Sequence, residues 1–186
     1  MGVVAVFIDG GYLDKITQFE KARVDYQKLV AEMTGADELL RAHYYHCMPY
    51  QSDPATPDES SRFARMDRFL AALRRLPRFE IRLGRLALRG KDGEGKPIFV
   101  QKRVDNMVGV DMALLAGKGK ITRLALLSGD SDFIPSIEAV KREGVIVTLW
   151  HGRRLKPETT PSRELFDLCD ERYELTPEVL IRVARS

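Results

Sequence analysis

Short apolar runs alternate with amphipathic stretches along the whole chain, and each change of period marks an element. Residues 3–8 are apolar and rich in β-branched side chains, and they end at Asp9-Gly10-Gly11, which predicts a buried strand followed by a turn. Helical spacing over residues 26–33 gives way to a second strand over 42–48, closed by Pro49. A loop at 51–57 runs into Thr56-Pro57-Asp58-Glu59, an N-cap, a first-turn proline and a capping-box glutamate. The long helix that follows has the apolar stripe Phe63, Met66, Phe69, Leu70 and Leu73 and ends before Pro77. Arg62, Arg65, Arg68 and Arg75 fall largely on its other faces and read as a solvated surface.

Two extended segments, 79–88 and 98–104, flank a tip rich in glycine and charge, from Gly90 to Pro97. This is the pattern of a β-hairpin, and its flanks carry Arg82, Arg85, Arg89, Lys102 and Arg103. A helix then begins at or near Asp105, with Met107, Val108, Leu114 and Leu115 as its apolar positions, and stops at Gly117-Lys118-Gly119. Residues 124–127 form another apolar strand ending in carboxylates, followed by a helix through Ile134, Ile137 and Val140 that stops at Gly144. A strand at 145–150, a helix near 162–169, a short segment around 173–175 and a last helix opening at Thr176-Pro177-Glu178 complete the chain. Strands alternating with helices predict an α/β fold: a mostly parallel central sheet flanked by helices on both faces, with a basic β-hairpin inserted.

With 186 residues, 44% hydrophobic and 31% charged, the chain has room for one sizeable core, so residues 1–186 read as a single domain. The net charge is only +3, but arginine strongly outnumbers lysine over 62–89, so local basicity carries the electrostatics. Cys47 and Cys169 lack a paired spacing and read as reduced core residues. No long apolar run follows a basic N-terminus, and none spans the ~18 residues of a membrane helix, so a soluble, cytoplasmic protein with no membrane partner is expected.

In an open parallel sheet the functional crevice lies outside the carboxyl ends of the strands, where strand order reverses. Asp9 and the segment Ser128-Gly129-Asp130-Ser131-Asp132 both occupy such ends. If the two strands are neighbours, three carboxylates share a small volume, and a cation or a proton must offset their repulsion. Oxygen-only ligands of this kind suit Mg²⁺ or Mn²⁺. Asp105 joins them from the start of its helix. Asp111 lies about 120° further round the same helix, so it ranks as a secondary ligand. Gly129, beside Ser128, lets backbone approach a ligand closely.

The quoted segments occur in the order of a known family. Phe7-Ile8-Asp9-Gly10-Gly11-Tyr12, then Gln101-Lys102-Arg103-Val104-Asp105 with Asp111, then Leu127-Ser128-Gly129-Asp130-Ser131-Asp132-Phe133 with Pro135 and the strand at 144–147, resemble the NYN family, the LabA-like branch of the PIN-like nucleases. The resemblance spans essentially the whole chain. It implies a PIN-like fold and divalent-metal-dependent cleavage of RNA, with Asp9, Asp105, Asp130 and Asp132 as the catalytic, metal-holding set. Many members carry Asn three residues after the first aspartate; here that position is Tyr12.

Phosphodiester hydrolysis needs an activated water, charge neutralisation and a stabilised leaving oxygen, all of which metal ions supply. Substrate contacts are expected from Lys102 and Arg103 beside Asp105, from Arg85 with Arg82 and Arg89 on the paired strand, from Arg153 and Arg154, and from Ser128 and Gly129. Tyr12 either stacks on a base or packs on the sheet rim. His43, His46 and His151 read as core or surface residues, not as a catalytic base. Three rivals remain: a non-catalytic RNA-binding or assembly module on the same fold, homo-oligomers included; a haloacid-dehalogenase-like phosphatase; and a receiver-like phosphoacceptor. The phosphatase needs a second acid where Gly11 stands, and the receiver needs paired acids at the first strand and a late lysine.

Overall fold

The computed structural model describes every residue except Asp92, Gly95, Lys96, Arg103 and Ser186, and for residues 87, 88, 91, 97, 99–102 and 105 it describes the backbone alone. Seven strands, β1 (Val3–Asp9), β2 (Glu38–Cys47), β3 (Phe79–Lys91), β4 (Pro97–Lys102), β5 (Arg123–Leu127), β6 (Ile146–His151) and β7 (Glu171–Glu174), form one sheet in the order β4-β3-β2-β1-β5-β6-β7. Six of them run parallel, and β4 returns antiparallel to β3 as the arm of the expected hairpin. From β1 the chain builds outward on one side as far as β4, then crosses back to β5 and builds outward on the other. Strand order therefore reverses between β1 and β5.

Seven helices cover the sheet: α1 (Gly10–Glu20), α2 (Tyr26–Thr34), α3 (Pro57–Leu73), α4 (Val104–Gly117), α5 (Ile134–Arg142), α6 (Arg163–Leu168) and α7 (Pro177–Arg182). Alternation along β1 divides the core in two. Val4, Val6 and Ile8 pack against α1, α2, α3 and α7, while Ala5 and Phe7 face α4, α5 and α6. A strand covered on both faces must be apolar at every position, which is why residues 3–8 read as an unbroken run. Among the described residues no helix is long and apolar enough to cross a membrane. Both cysteines are buried, and neither forms a disulfide.

Three elements differ from the sequence reading. The Asp9-Gly10-Gly11 segment is not a free-standing turn, because α1 starts at Gly10 with the Asp9 carboxylate capping it. Two glycines at a helix start weaken the local helical signal. Gly10 is required by packing: a Cβ there would sit 2.5 Å from the Tyr44 hydroxyl and from the His46 ring. Strand β2 begins at Glu38, four residues earlier than its apolar run, because it pairs with Val3 at the start of β1. The short segment near Tyr173 is a full edge strand, Glu171–Glu174, parallel to β6.

The long helix α3 follows its sequence signal closely. Thr56 Oγ1 accepts from Glu59 N at 3.2 Å, and the Glu59 carboxylate accepts from Thr56 N at 2.9 Å and from Ser52 Oγ at 2.6 Å. Thr56→Ala removes half of this reciprocal cap. The expected cost is about 1 kcal/mol, a fall in melting temperature of about 2–4 °C for a chain of this size, measurable by calorimetry.

Candidate active site

Asp9 closes β1 on the face where Ala5 and Phe7 point, toward α4 and α5. Its two oxygens are held separately. Tyr12 N donates to Oδ1 at 3.1 Å as the cap of α1, and Ser128 Oγ donates to Oδ2 at 3.1 Å from the end of β5. Ser128 Oγ in turn accepts from Asp130 N at 3.3 Å, and Asp130 Oδ1 accepts from Asp132 N at 3.0 Å, capping a 3-10 turn over Ser131–Phe133 that leads into α5. One hydroxyl thus ties the first aspartate to the second acidic segment across neighbouring strands.

Burial pushes the Asp9 carboxyl above the usual aspartate range. The hydrogen bonds from Tyr12 and Ser128 pull it down without cancelling that effect, the negative charge of Asp130 adds to the rise, and Lys15 opposes it. Asp130 and Asp132 are both exposed. The backbone of Asp105 lies in the first turn of α4, which packs against α5 and the 3-10 turn. Its side chain, that of Lys102 and the whole of Arg103 lie outside the described residues.

Several expected contacts are placed elsewhere. Asp111 accepts from Tyr45 Oη at 2.8 Å and pairs with Arg82 at 3.3 Å, two turns along α4, so its charge is matched away from Asp9. Tyr12 is buried, not available for stacking: its hydroxyl donates to Thr159 O at 2.5 Å and accepts from Gly152 N at 3.2 Å, and burial raises its phenol to about 12. Gly129 keeps its place for that ring, since a Cβ would meet Tyr12 at 2.6 Å. Ser128 is fully buried and positions Asp9, with no face left for substrate. Arg85 is exposed on β3 opposite Lys102 of β4, in line with the expected basic hairpin. Arg82 and Arg153 are engaged by carboxylates, the latter by Glu20 at 2.8 Å, and Arg154 lies over the Phe166 ring.

The sequence reading missed the pair formed by Asp14 and His46, whose Nε2 stands 3.0 Å from Asp14 Oδ2 at the carboxyl end of β2. Burial works against protonation of His46, but the bond and charge of Asp14 outweigh it and raise the imidazole above its ordinary value. An aspartate one turn into a helix and a histidine on a separate strand leave no joint signal in sequence. His43 is buried and stacks on Phe7, with the Tyr45 ring alongside both, and burial lowers its basicity.

The model of the NYN domain matches residues 3–176. The chain belongs to the NYN domain family. NYN domains are in general PIN-like nucleases, which usually employ divalent metals. Among solved structures, this NYN domain is similar to a protein of unknown function, VPA0982, from Vibrio parahaemolyticus RIMD 2210633, with 21% identity over 95% of this chain and 94% of that one and a TM-score of 0.65. That likeness shows the fold. The CheB methylesterase catalytic domain of Thermotoga maritima aligns at 17% identity over 98% of each chain, with a TM-score of 0.44, too low to carry an argument. No curated protein matches the sequence.

Among the described residues no three His, Cys, Asp or Glu side chains are grouped so as to hold a metal ion. The donors present nevertheless fit a hard divalent cation. The desolvated Asp9 carboxylate, repelled by the nearby charge of Asp130, offers the oxygen ligands that such an ion takes.

Two outcomes follow for the NYN domain. A carboxyl whose folded value lies above its unfolded one loses stability as pH rises through that window, because the folded state binds the proton more tightly. In EDTA, Asp9→Asn should therefore melt above the wild type near pH 8 by calorimetry, and the gain should vanish as pH falls below the ordinary aspartate range. Tyr12→Phe strands Gly152 N and Thr159 O. It should cost ~1–3 kcal/mol by chemical denaturation; an unchanged stability would show that the two backbone groups do not depend on the Tyr12 hydroxyl.

Proposed function

We propose that this NYN domain is a ribonuclease that hydrolyses RNA phosphodiester bonds with Mg²⁺ or Mn²⁺ held by Asp9 and Asp130, completed by Asp105 from the start of α4 and with Asp132 beside them. The reading rests above all on the Ser128 hydroxyl, which donates to the Asp9 carboxylate and accepts from the Asp130 backbone N–H, tying the two acidic segments together at the crevice where strand order reverses. A bound divalent ion would supply the Lewis acidity that makes a water more acidic and neutralises phosphoryl charge. The chain's own groups do the rest. Ser128 and Tyr12 N set the direction of the Asp9 oxygens, and burial keeps water from screening them. The basic hairpin, with exposed Arg85 and Arg89, and with Lys102 and Arg103 in its sequence, supplies positive charge for the phosphate backbone.

The second reading is a module on the same fold that binds RNA without cutting it. It is favoured by one observation: among the described residues no third acidic side chain completes a metal-holding group. Digestion of labelled single-stranded and structured RNA separates the two. With Mg²⁺ or Mn²⁺ the wild type should cleave; EDTA should abolish cleavage. Asp9→Asn and Asp130→Asn should each lower the rate by on the order of 10²–10³, the scale on which one preorganised electrostatic group acts, with unchanged circular dichroism. Binding without metal-dependent cleavage selects the second reading, and full activity in both variants rejects the site.

A further inference from the structure

On the face of the sheet opposite α4 and α5, at the carboxyl end of β2, lies a groove of about 370 Å³ lined from α1, the start of α2, β2 and one face of α3. Its floor is aromatic. Tyr26, Tyr44 and Phe69 meet with ring centroids 5.3–6.0 Å apart, and Met66 extends the apolar surface. Tyr26, Phe69 and Met66 are only half-buried, so part of the cluster faces the groove.

The rim is cationic. Arg62, Arg65, Met66 and Phe69 follow helical spacing along one face of α3, so these two arginines line the groove with the apolar stripe and are not spread over its solvent side. Both are exposed, and among the described residues neither is held in an ion pair, unlike Arg82 and Arg153. Among the described residues the one carboxylate on the groove, Asp14, is answered by His46 at 3.0 Å. An aromatic floor with exposed guanidinium groups above it is the chemistry that takes a base by its face and the adjoining phosphates by charge.

Continuity with the candidate active site is direct. Gly10, the residue after Asp9, lies against the Tyr44 hydroxyl and the His46 ring so closely that it has no room for a Cβ. The acidic cleft and the groove thus lie on opposite faces of the sheet and meet at the backbone of Asp9 and Gly10, at the carboxyl end of β1. We infer that this groove is the subsite that seats a nucleobase of single-stranded RNA close to the scissile phosphate, with Arg62 and Arg65 gripping the flanking phosphates. The inference rests on the ribonuclease reading for its orientation, and it fixes where a strand leaves the cleft: over Gly10, toward α3. Such a site favours unpaired RNA, because a base inside a duplex cannot reach the floor.

The test is equilibrium binding of a short labelled single-stranded RNA by fluorescence anisotropy in EDTA, which needs no cleavage. Arg62→Glu/Arg65→Glu, on an exposed helix face, should weaken binding by at least about tenfold and flatten the salt dependence by roughly 1.4 in slope, about 0.7 for each single-strand phosphate that the variant leaves without its arginine. Independently of any protein variant, moving one abasic nucleotide along the RNA should reveal a position where wild-type affinity falls about tenfold, within the range for removal of one stacked base. That sensitivity should disappear in the double variant. A wild type that binds no single-stranded RNA, a double variant that binds normally, or a flat abasic scan overturns the proposal. Groove-dependent binding without cleavage under any metal condition refutes the nuclease reading and leaves the subsite; metal-dependent cleavage with a flat abasic scan does the reverse.

Discussion

Asp9 is placed where a charged carboxylate is costly to keep: at the end of a strand buried along its length, between two neighbours, and held among the described residues by two hydrogen-bond donors. Burial outweighs those donors, since the carboxyl stays above its ordinary range despite them. The local architecture is built around that imbalance. Ser128 has to be buried to reach Oδ2, β5 has to lie directly beside β1 for Ser128 to be there, and the 3-10 turn that Asp130 caps starts from the same hydroxyl. Carboxyls perturbed in this way concentrate at functional sites, which is the physical ground for proposing Asp9 as a metal ligand.

Around this pair, small residues and one large ring set the shape. Tyr12 bridges Gly152 and Thr159, locking the loop after β6 to the first turn of α1, and Gly129 yields space for the ring. Gly10 does the same for Tyr44 and His46 on the other side. The cleft walls are thus made of backbone brought close, a result that larger side chains would prevent.

Positive charge is sorted by pairing. Arginines that brace elements to one another, such as Arg82 with Asp111, Arg123 with Asp37 and Arg153 with Glu20, have carboxylate partners. Arg85 on the hairpin and Arg62 and Arg65 on α3 are exposed, on two elements that follow β2 in sequence. A polyanion reading this surface meets the exposed arginines, whatever the modest net charge of the chain.

What the sequence determined by itself is the set of elements whose signals are local. The capping box of Thr56 and Glu59, the unbroken apolar run of β1, the hairpin flanks and the alternation of strands with helices each depend on neighbours a few residues away, and they specified the α/β class and the acidic segments at strand ends. The start of α1 was hidden because Gly10 serves a contact with Tyr44 and His46, more than thirty residues away in sequence. Only the tertiary structure made β1 and β5 neighbours, turned Tyr12 and Ser128 inward as struts, gave Asp111 to Arg82 and Tyr45, and placed Arg62 and Arg65 beside an aromatic floor. Periodicity reports which face a side chain takes on its own element; which partner waits on that face is settled by how the sheet orders its strands.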